Sequence, residues 1–251
     1  VRTNTIKLNS SLLIASDGKN SFVRKKLKES IFFKQYNHSA LVMNLVHTKD
    51  HKNTAYEIFL KSGPLAILPM QSSLNKKFRS SVIWSHNHKF INNIYSLDNK
   101  FLSSLVNEYI QKYVGTIKKI ENKKTFVLSA HINSSFGKNR IIYIGDAAHS
   151  IHPIAGQGWN LGMRDCENLK KIIIEALDLG LDIGSEFVCK EFNNARYFDV
   201  FSLYQVTDKL NSIFMNEKFI FKKSRQLGLG LIDYNKNINN YITKYAMGDI
   251  L

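Results

Sequence analysis

The chain has 251 residues, 44% of them hydrophobic, enough to build one large globular domain or two small ones around a sizeable core. Its formal net charge of +15 and pI near 9.7 would suit a polyanion, yet lysine is spread along the whole length among many Asn and Ile. No RNA-module signature, zinc-ligand spacing, basic zipper or membrane-length apolar run accompanies it, so nucleic-acid binding, metal-site and transmembrane classes are set aside.

Cys166 and Cys189 stand far apart without CxxC spacing or a secretory leader, which points to free thiols in a reducing, cytoplasmic setting. Val1 occupies the place of an initiator Met, which fits either a GUG start read literally or a missing upstream piece. In chain order, "SLLIASDG" is a short apolar strand closed by a turn, and "SFVRKKLKES" is a helix opened by Ser21 as its cap. From Ile31 to Lys89, apolar and polar residues alternate between Asn, Gly, Pro and Ser clusters, the pattern of an antiparallel sheet. "NKFLSSLVNEYIQKYVG" is an amphipathic helix with Phe101, Leu102, Leu105, Val106, Tyr109 and Ile110 on one face and Gly115 as its stop.

The most informative stretch is "RIIYIGDAAHSIHPIAGQGWNLGMRDCENL". "RIIYIG" is a continuous apolar run of the kind that forms a strand buried on both faces, and it ends at Gly145 and Asp146. Ligands of open α/β sheets bind beyond the carboxyl ends of strands, which places Asp146 beside a ligand. Pro153 turns the chain, and Gly156, Gln157 and Gly158 lead into a helix starting near Trp159 or Asn160. Bare backbone at a helix start favours an electron-rich partner. A second acid-glycine pair, Asp17 and Gly18, ends the upstream strand. Everything after Trp159 has helical period; Tyr143 is expected in the core, and Arg164 with Asp165 as a local pair on the helix surface.

"GDAAHSIHPIAGQGWNLGMRDCENL" resembles the second FAD-binding motif of the single-component flavin aromatic hydroxylases, and "LLIASDGKNSFVR" resembles their Asp-Gly motif. "SGPLAILPM" and the tail "GLGLIDYNKNINNYITKYAMG" narrow the resemblance to the hydroxylases of ubiquinone biosynthesis, and it covers nearly the whole chain. It implies a mixed α/β FAD/NAD(P)-binding fold, with an FAD-binding domain at 1–30 and 99–175, an antiparallel-sheet substrate domain at 31–98 and a helical region at 176–251. By the same resemblance Asp146 contacts the flavin ribityl chain and Pro153 lies against the ring. Gly145 belongs to the same motif, and the backbone of Gly156, Gln157, Gly158, Trp159 and Asn160 meets the pyrimidine edge. Asp17 and Gly18 take the Asp-Gly motif position, with Arg24 near the pyrophosphate or nucleotide path. Leu65, Ile67, Leu68, Pro69 and Met70 line the substrate cavity with Trp84 nearby, unless they are simply the sheet's core. His149 and His152 flank the flavin turn, either as packing or hydrogen-bonding groups or as general bases, with Pro153 and His152 the catalytic candidates.

The implied reaction uses FAD and NAD(P)H, with a flavin hydroperoxide attacking the ring of a polyprenylated phenol. The family's N-terminal G-x-G-x-x-G loop has no counterpart here; "LGLGLID" lies in a helical tail and does not follow a strand. The chain therefore reads as the C-terminal two-thirds of such an enzyme. The alternative is an FAD-less remnant acting as a non-catalytic, partner-binding subunit of a ubiquinone-biosynthesis complex. Phe214, Met215, Phe219, Ile220, Phe221, Leu227, Leu229 and Leu231 among basic residues suit either a helix pair capping its own domain or a peripheral contact at the inner face of a membrane.

Overall fold

A computed structural model describes residues 8–60, 63–72, 78–215, 230 and 234–247. They divide into two compact units, the first drawn from Val1–Lys34, Ser129–Asn211 and Lys223–Leu251, the second from Gln35–Leu128 and Ser212–Lys222.

In the first unit, β1 (Leu13–Ala15) pairs in parallel with a strand from far along the chain, Leu13 opposite Ile141 and Ala15 opposite Tyr143. Ser21 caps the short helix α1 (Phe22–Lys26), its hydroxyl accepting the Arg24 N–H at 3.0 Å.

The second unit is a curled antiparallel sheet backed by helices. β2 (Ile31–His47), β3 (Tyr56–Leu60), β4 (Gly63–Met70), β5 (Phe78–Asn87), α2 (His88–Tyr95) and α3 (Asn99–Val114) precede β6 (Ile117–Asn133). The strand order in this unit is β3-β4-β5-β2-β6. The register puts Leu65 opposite Trp84 and Trp84 opposite Leu41, so alternate residues share one face. That face is apolar except at one end, where buried His47 and Ser80 hydrogen-bond at 2.9 Å, and it packs on Leu102, Val106, Ile110 and Val114 of α3 and on Ile91 and Ile94 of α2. Asp98 caps α3 by accepting the Lys100 N–H at 2.6 Å, and Gly115, at φ +74°, ends it. Phe101, expected on the buried face, is 68% exposed, because the buried stripe runs i, i+4, i+8, i+12 from Leu102 and leaves its neighbour a hundred degrees round the helix.

Leu65 and Ile67 are core residues of this unit rather than cavity-lining ones, since both lie on the helix-backed face with no exposed surface. Leu68 lies on the opposite face and is partly exposed. Residues 99–128, expected with the FAD-binding domain, belong to the sheet unit, because α3 supplies the other half of its core.

The chain re-enters the first unit within β6. β7 (Gly137–Lys138) and β8 (Ile141–Tyr143) complete a three-stranded sheet in the order β1-β8-β7, with Ile142 and Tyr143 buried. β9 (His149–Ser150) pairs with the end of β6, His131 opposite Ser150. α4 (Gly158–Asp178), α5 (Glu186–Met215) and α6 (Lys236–Met247) follow. The apolar tail positions from Phe219 to Leu229, and Leu231, lie outside the described residues, as do the side chains of Phe214 and Met215.

Candidate cofactor site

Parallel pairing of β1 with β8 sends both strands out of the sheet at the same edge. The two acid-glycine pairs, Asp17–Gly18 after β1 and Gly145–Asp146 after β8, therefore emerge side by side. Between these strand ends and the first turns of α4 lies a cleft of about 590 Å³. Gly18, Gly145, Asp146, Gly158 and Trp159 line it, together with Ser16, Ile144, Gly162, Met163 and Cys166. Strand end and helix lie side by side here: a Cβ on Gly162 would make an ordinary van der Waals contact, 3.7 Å from the Gly145 Cα.

The bare backbone has two origins. Gly18, Gly145 and Gly156 hold φ of +80°, +56° and +62°, conformations that L side chains resist. Gly158 has an ordinary φ, and a Cβ there would meet nothing within 4 Å. Neither strain nor crowding demands glycine at this position. Trp159, 77% exposed, stands beside it.

Charge is arranged around the opening. Asp146 is exposed, with the half-buried Lys19 ammonium nearby. Burial pulls the Lys19 pKa down, opposed by the Asp146 carboxylate, and its Nζ donates to the Ser129 carbonyl at 3.0 Å. Asp17 does not face the cleft as a bare anion: its carboxylate accepts the N–H groups of Phe22 at 2.7 Å and Val23 at 3.2 Å. Slight burial pushes its pKa up, and the bonds from Ser21, Val23 and Phe22 outweigh this and hold it below the usual carboxylate range.

Arg24 turns inward and is 7% exposed. Its guanidinium donates to the Ala147 carbonyl at 2.9 Å, to the Lys19 carbonyl, and to His131 Nε2 at 2.9 Å. It ties the loops after β1 and β8 to each other and does not reach out along a nucleotide path. His131, buried, is driven down to about 4 first by desolvation and then by the charges of Arg24 and Lys19, so it is neutral at pH 7.

Beneath the loop lies a buried ionic network. Asp165, 1% exposed, accepts the Gly145 N–H at 2.8 Å and His149 Nε2–H at 2.8 Å on Oδ2, and Arg196 Nε–H at 2.7 Å on Oδ1. Arg196 also donates to Asp199 at 2.6 Å, and Arg164 donates to Asp199 at 3.1 Å. The expected surface pair of Arg164 and Asp165 is thus replaced by two buried residues with different partners, because both lie on the face of α4 turned toward α5. Burial raises the Asp165 pKa, but hydrogen bonds from His149 and Arg196 more than offset it and leave the carboxyl below its ordinary value.

His152 is 1% exposed and its Nδ1 accepts the Ile154 N–H at 3.2 Å, so it braces the turn and is poorly placed as a base. Pro153, Gly156 and Gly158 are exposed along the same loop, whereas Gln157 is buried and accepts from Asn160 Nδ2 at 3.2 Å. Pro153, Gly156, Gln157 and Asn160 are not among the residues lining the 590 Å³ cleft. Arg196, Asp199 and His131 were missed from sequence; the only sign of the first two was an i, i+3 opposite-charge pair, which on a helix usually marks a solvated surface.

Residues 1–179 match the FAD binding domain family. The chain belongs to this family. A ubiquinone hydroxylase, UbiL of Rhodospirillum rubrum, is 28% identical over 239 residues, covering 95% of this chain and 54% of that protein. The 3-demethoxyubiquinol 3-hydroxylase of Escherichia coli is 26% identical over 96% of this chain and 60% of its own length. The chain therefore spans little more than half the length of the curated relatives it matches. Among solved structures, p-nitrophenol 4-monooxygenase PnpA from Pseudomonas putida superposes with a TM-score of 0.70 at 16% identity, covering 94% of this chain and 59% of that one, which shows a shared fold. The residues of the cleft fit the flavin that this family binds: glycine backbone at Gly18, Gly145 and Gly158, with nothing within 4 Å of the missing Cβ atoms, borders the space.

Proposed function

We propose that this chain is the flavin-facing part of an FAD-dependent monooxygenase that hydroxylates the aromatic ring of a polyprenylated phenol in ubiquinone biosynthesis, with NAD(P)H as reductant. The observation that carries the reading is the convergence of Gly18, from the turn after β1, and of Gly145 and Asp146, from the turn after β8, on one cleft at the start of α4. The ubiquinone hydroxylases among the relatives supply the substrate class.

In this reading the Asp146 carboxylate accepts from ribityl hydroxyls, with Lys19 moderating its charge. The backbone at Gly156, Gly158 and Asn160 faces the pyrimidine edge, where the helix start of α4 favours negative charge. Pro153 packs against the ring, and His152 and Gln157, turned inward, hold the loop rather than react. The bound flavin would supply electron transfer from NAD(P)H and activation of oxygen, while the protein supplies position, electrostatics and exclusion of water. Leu68 is retained as a candidate substrate contact on the open sheet face. No described helix is long and apolar enough to cross a membrane.

Titrating the purified chain into FAD and following quenching of flavin fluorescence tests the reading, followed by NAD(P)H oxidation with and without a polyprenylated phenol. Saturable quenching and phenol-stimulated oxidation are expected. Absence of both leaves the non-catalytic, partner-binding subunit as the better account.

A further inference from the structure

The following rests on the cofactor reading above. Gly145 forms the turn between β8 and Asp146 at φ +56°, a conformation glycine takes as readily as a negative φ, so the bare backbone does not fix the turn by itself. Its N–H is held by Asp165 Oδ2 at 2.8 Å, and the same oxygen takes the His149 ring. The other oxygen, Oδ1, takes Arg196 Nε–H at 2.7 Å. Arg196 comes from α5, outside every recognisable motif, and is 2% exposed. Its Nη1 donates to Asp199 at 2.6 Å and its Nη2 makes a longer contact, 3.4 Å, with the Leu161 carbonyl in α4.

A buried ion pair is weak evidence for stability, since desolvation consumes most of the Coulombic gain. What distinguishes this one is where its chain of bonds ends: on the backbone amide of one cleft wall and on a carbonyl of the helix forming the other. We propose that Arg196 is a positioning residue for the cofactor cleft, fixing the Gly145 turn through Asp165 and the first turns of α4 through Leu161, so that one guanidinium sets the spacing between the two walls. Planarity matters here. Three donors on a rigid fork serve Asp165, Asp199 and Leu161 at once, whereas an ammonium on a flexible stem serves one or two. Arg164 balances Asp199 from the far side, so the cluster of two guanidinium groups and two carboxylates carries no net charge apart from His149.

The test uses the full chain carrying Arg196→Met, Arg196→Lys or Asp199→Asn. Two readouts are taken: the dissociation constant for FAD from flavin fluorescence, and hydrogen exchange of peptides spanning 141–149 and 99–114 in the FAD-free protein. Arg196→Met is expected to weaken FAD binding roughly tenfold, the scale of a lost charge-assisted hydrogen bond. It should also speed exchange at 141–149 while leaving α3 at wild-type protection. Arg196→Lys should recover part of the affinity, and Asp199→Asn, which spares the contact with Asp165, should cost less than Arg196→Met. Guanidinium added at millimolar concentration to Arg196→Met should restore affinity where the same concentration of sodium chloride does not. Wild-type affinity and exchange in a folded Arg196→Met overturn the proposal, as does faster exchange spread equally over α3. Should Arg196→Met not fold, equal FAD affinity in wild type, Arg196→Lys and Asp199→Asn overturns it. If the wild type takes up no FAD, the cofactor reading fails, and the exchange data alone decide the role of Arg196.

Discussion

His131 shows how a single residue couples the site to pH. It is neutral when folded, with a pKa near 4, and ordinary when unfolded, near 6.5, so between those values the unfolded chain binds more protons. Stability is therefore intact above about pH 6.5 and declines as pH falls toward 4. Replacing it with Gln keeps an acceptor for Arg24 and removes the proton uptake. Chemical denaturation at pH 7 and pH 5 should show the wild type losing about 1–2 kcal/mol more than His131→Gln over that interval. At this scale the sequence was legible wherever chemistry sat in a local motif. Asp146, Gly18 and Gly158, which line the cleft, could be picked out from spacing, whereas Gly156 lies outside its lining. Asp165, Arg196, Asp199 and Arg24 could not be placed correctly, because each is drawn inward by a partner far along the chain: Arg196 for Asp165, Arg164 for Asp199 and the Ala147 carbonyl for Arg24.

Two glycines make opposite predictions for the elements they serve. Gly137 in β7 lies under α5, and a Cβ there would stand 2.5 Å from the Cys189 carbonyl oxygen, a backbone atom that cannot swing aside. Gly137→Ala should cost about 1–3 kcal/mol, seen as a lower midpoint in denaturant with no direct change at the cleft. Gly158 opens α4 with nothing near its missing Cβ. Gly158→Ala should leave stability unchanged or raise it by up to about 1 kcal/mol through the helix preference of Ala, yet weaken FAD binding measurably by fluorescence titration. A gain in stability with unchanged affinity would remove Gly158 from the site. The helix over α3, the sheet of β2 to β5 and the strands at β1 and β8 were legible from period, whereas α2 and the long β6 were not read from it and the Phe101 face was misplaced. What period could not show is which face of β4 meets helices: Leu65 and Ile67 alternate as well for a cavity as for a core, and only α3 decides between them.

For the molecule as a whole, the charge of +15 leads to a solubility argument rather than a binding one. Solubility should be lowest near pH 9.7, where net charge vanishes, and higher at pH 7, as turbidity across a pH series would show. Unit boundaries were not legible, because β2 and β6 pass through residues 34–35 and 128–129 as unbroken strands without a turn or linker to mark the change. The pairing of Leu13 with Ile141 carries a temporal consequence. About 130 residues separate β1 from β8, so closing that loop comes late and slowly relative to the local helices. A growing chain carries the Asp17–Gly18 turn long before the wall that faces it, and this cleft takes shape only when the later strand of the pair arrives.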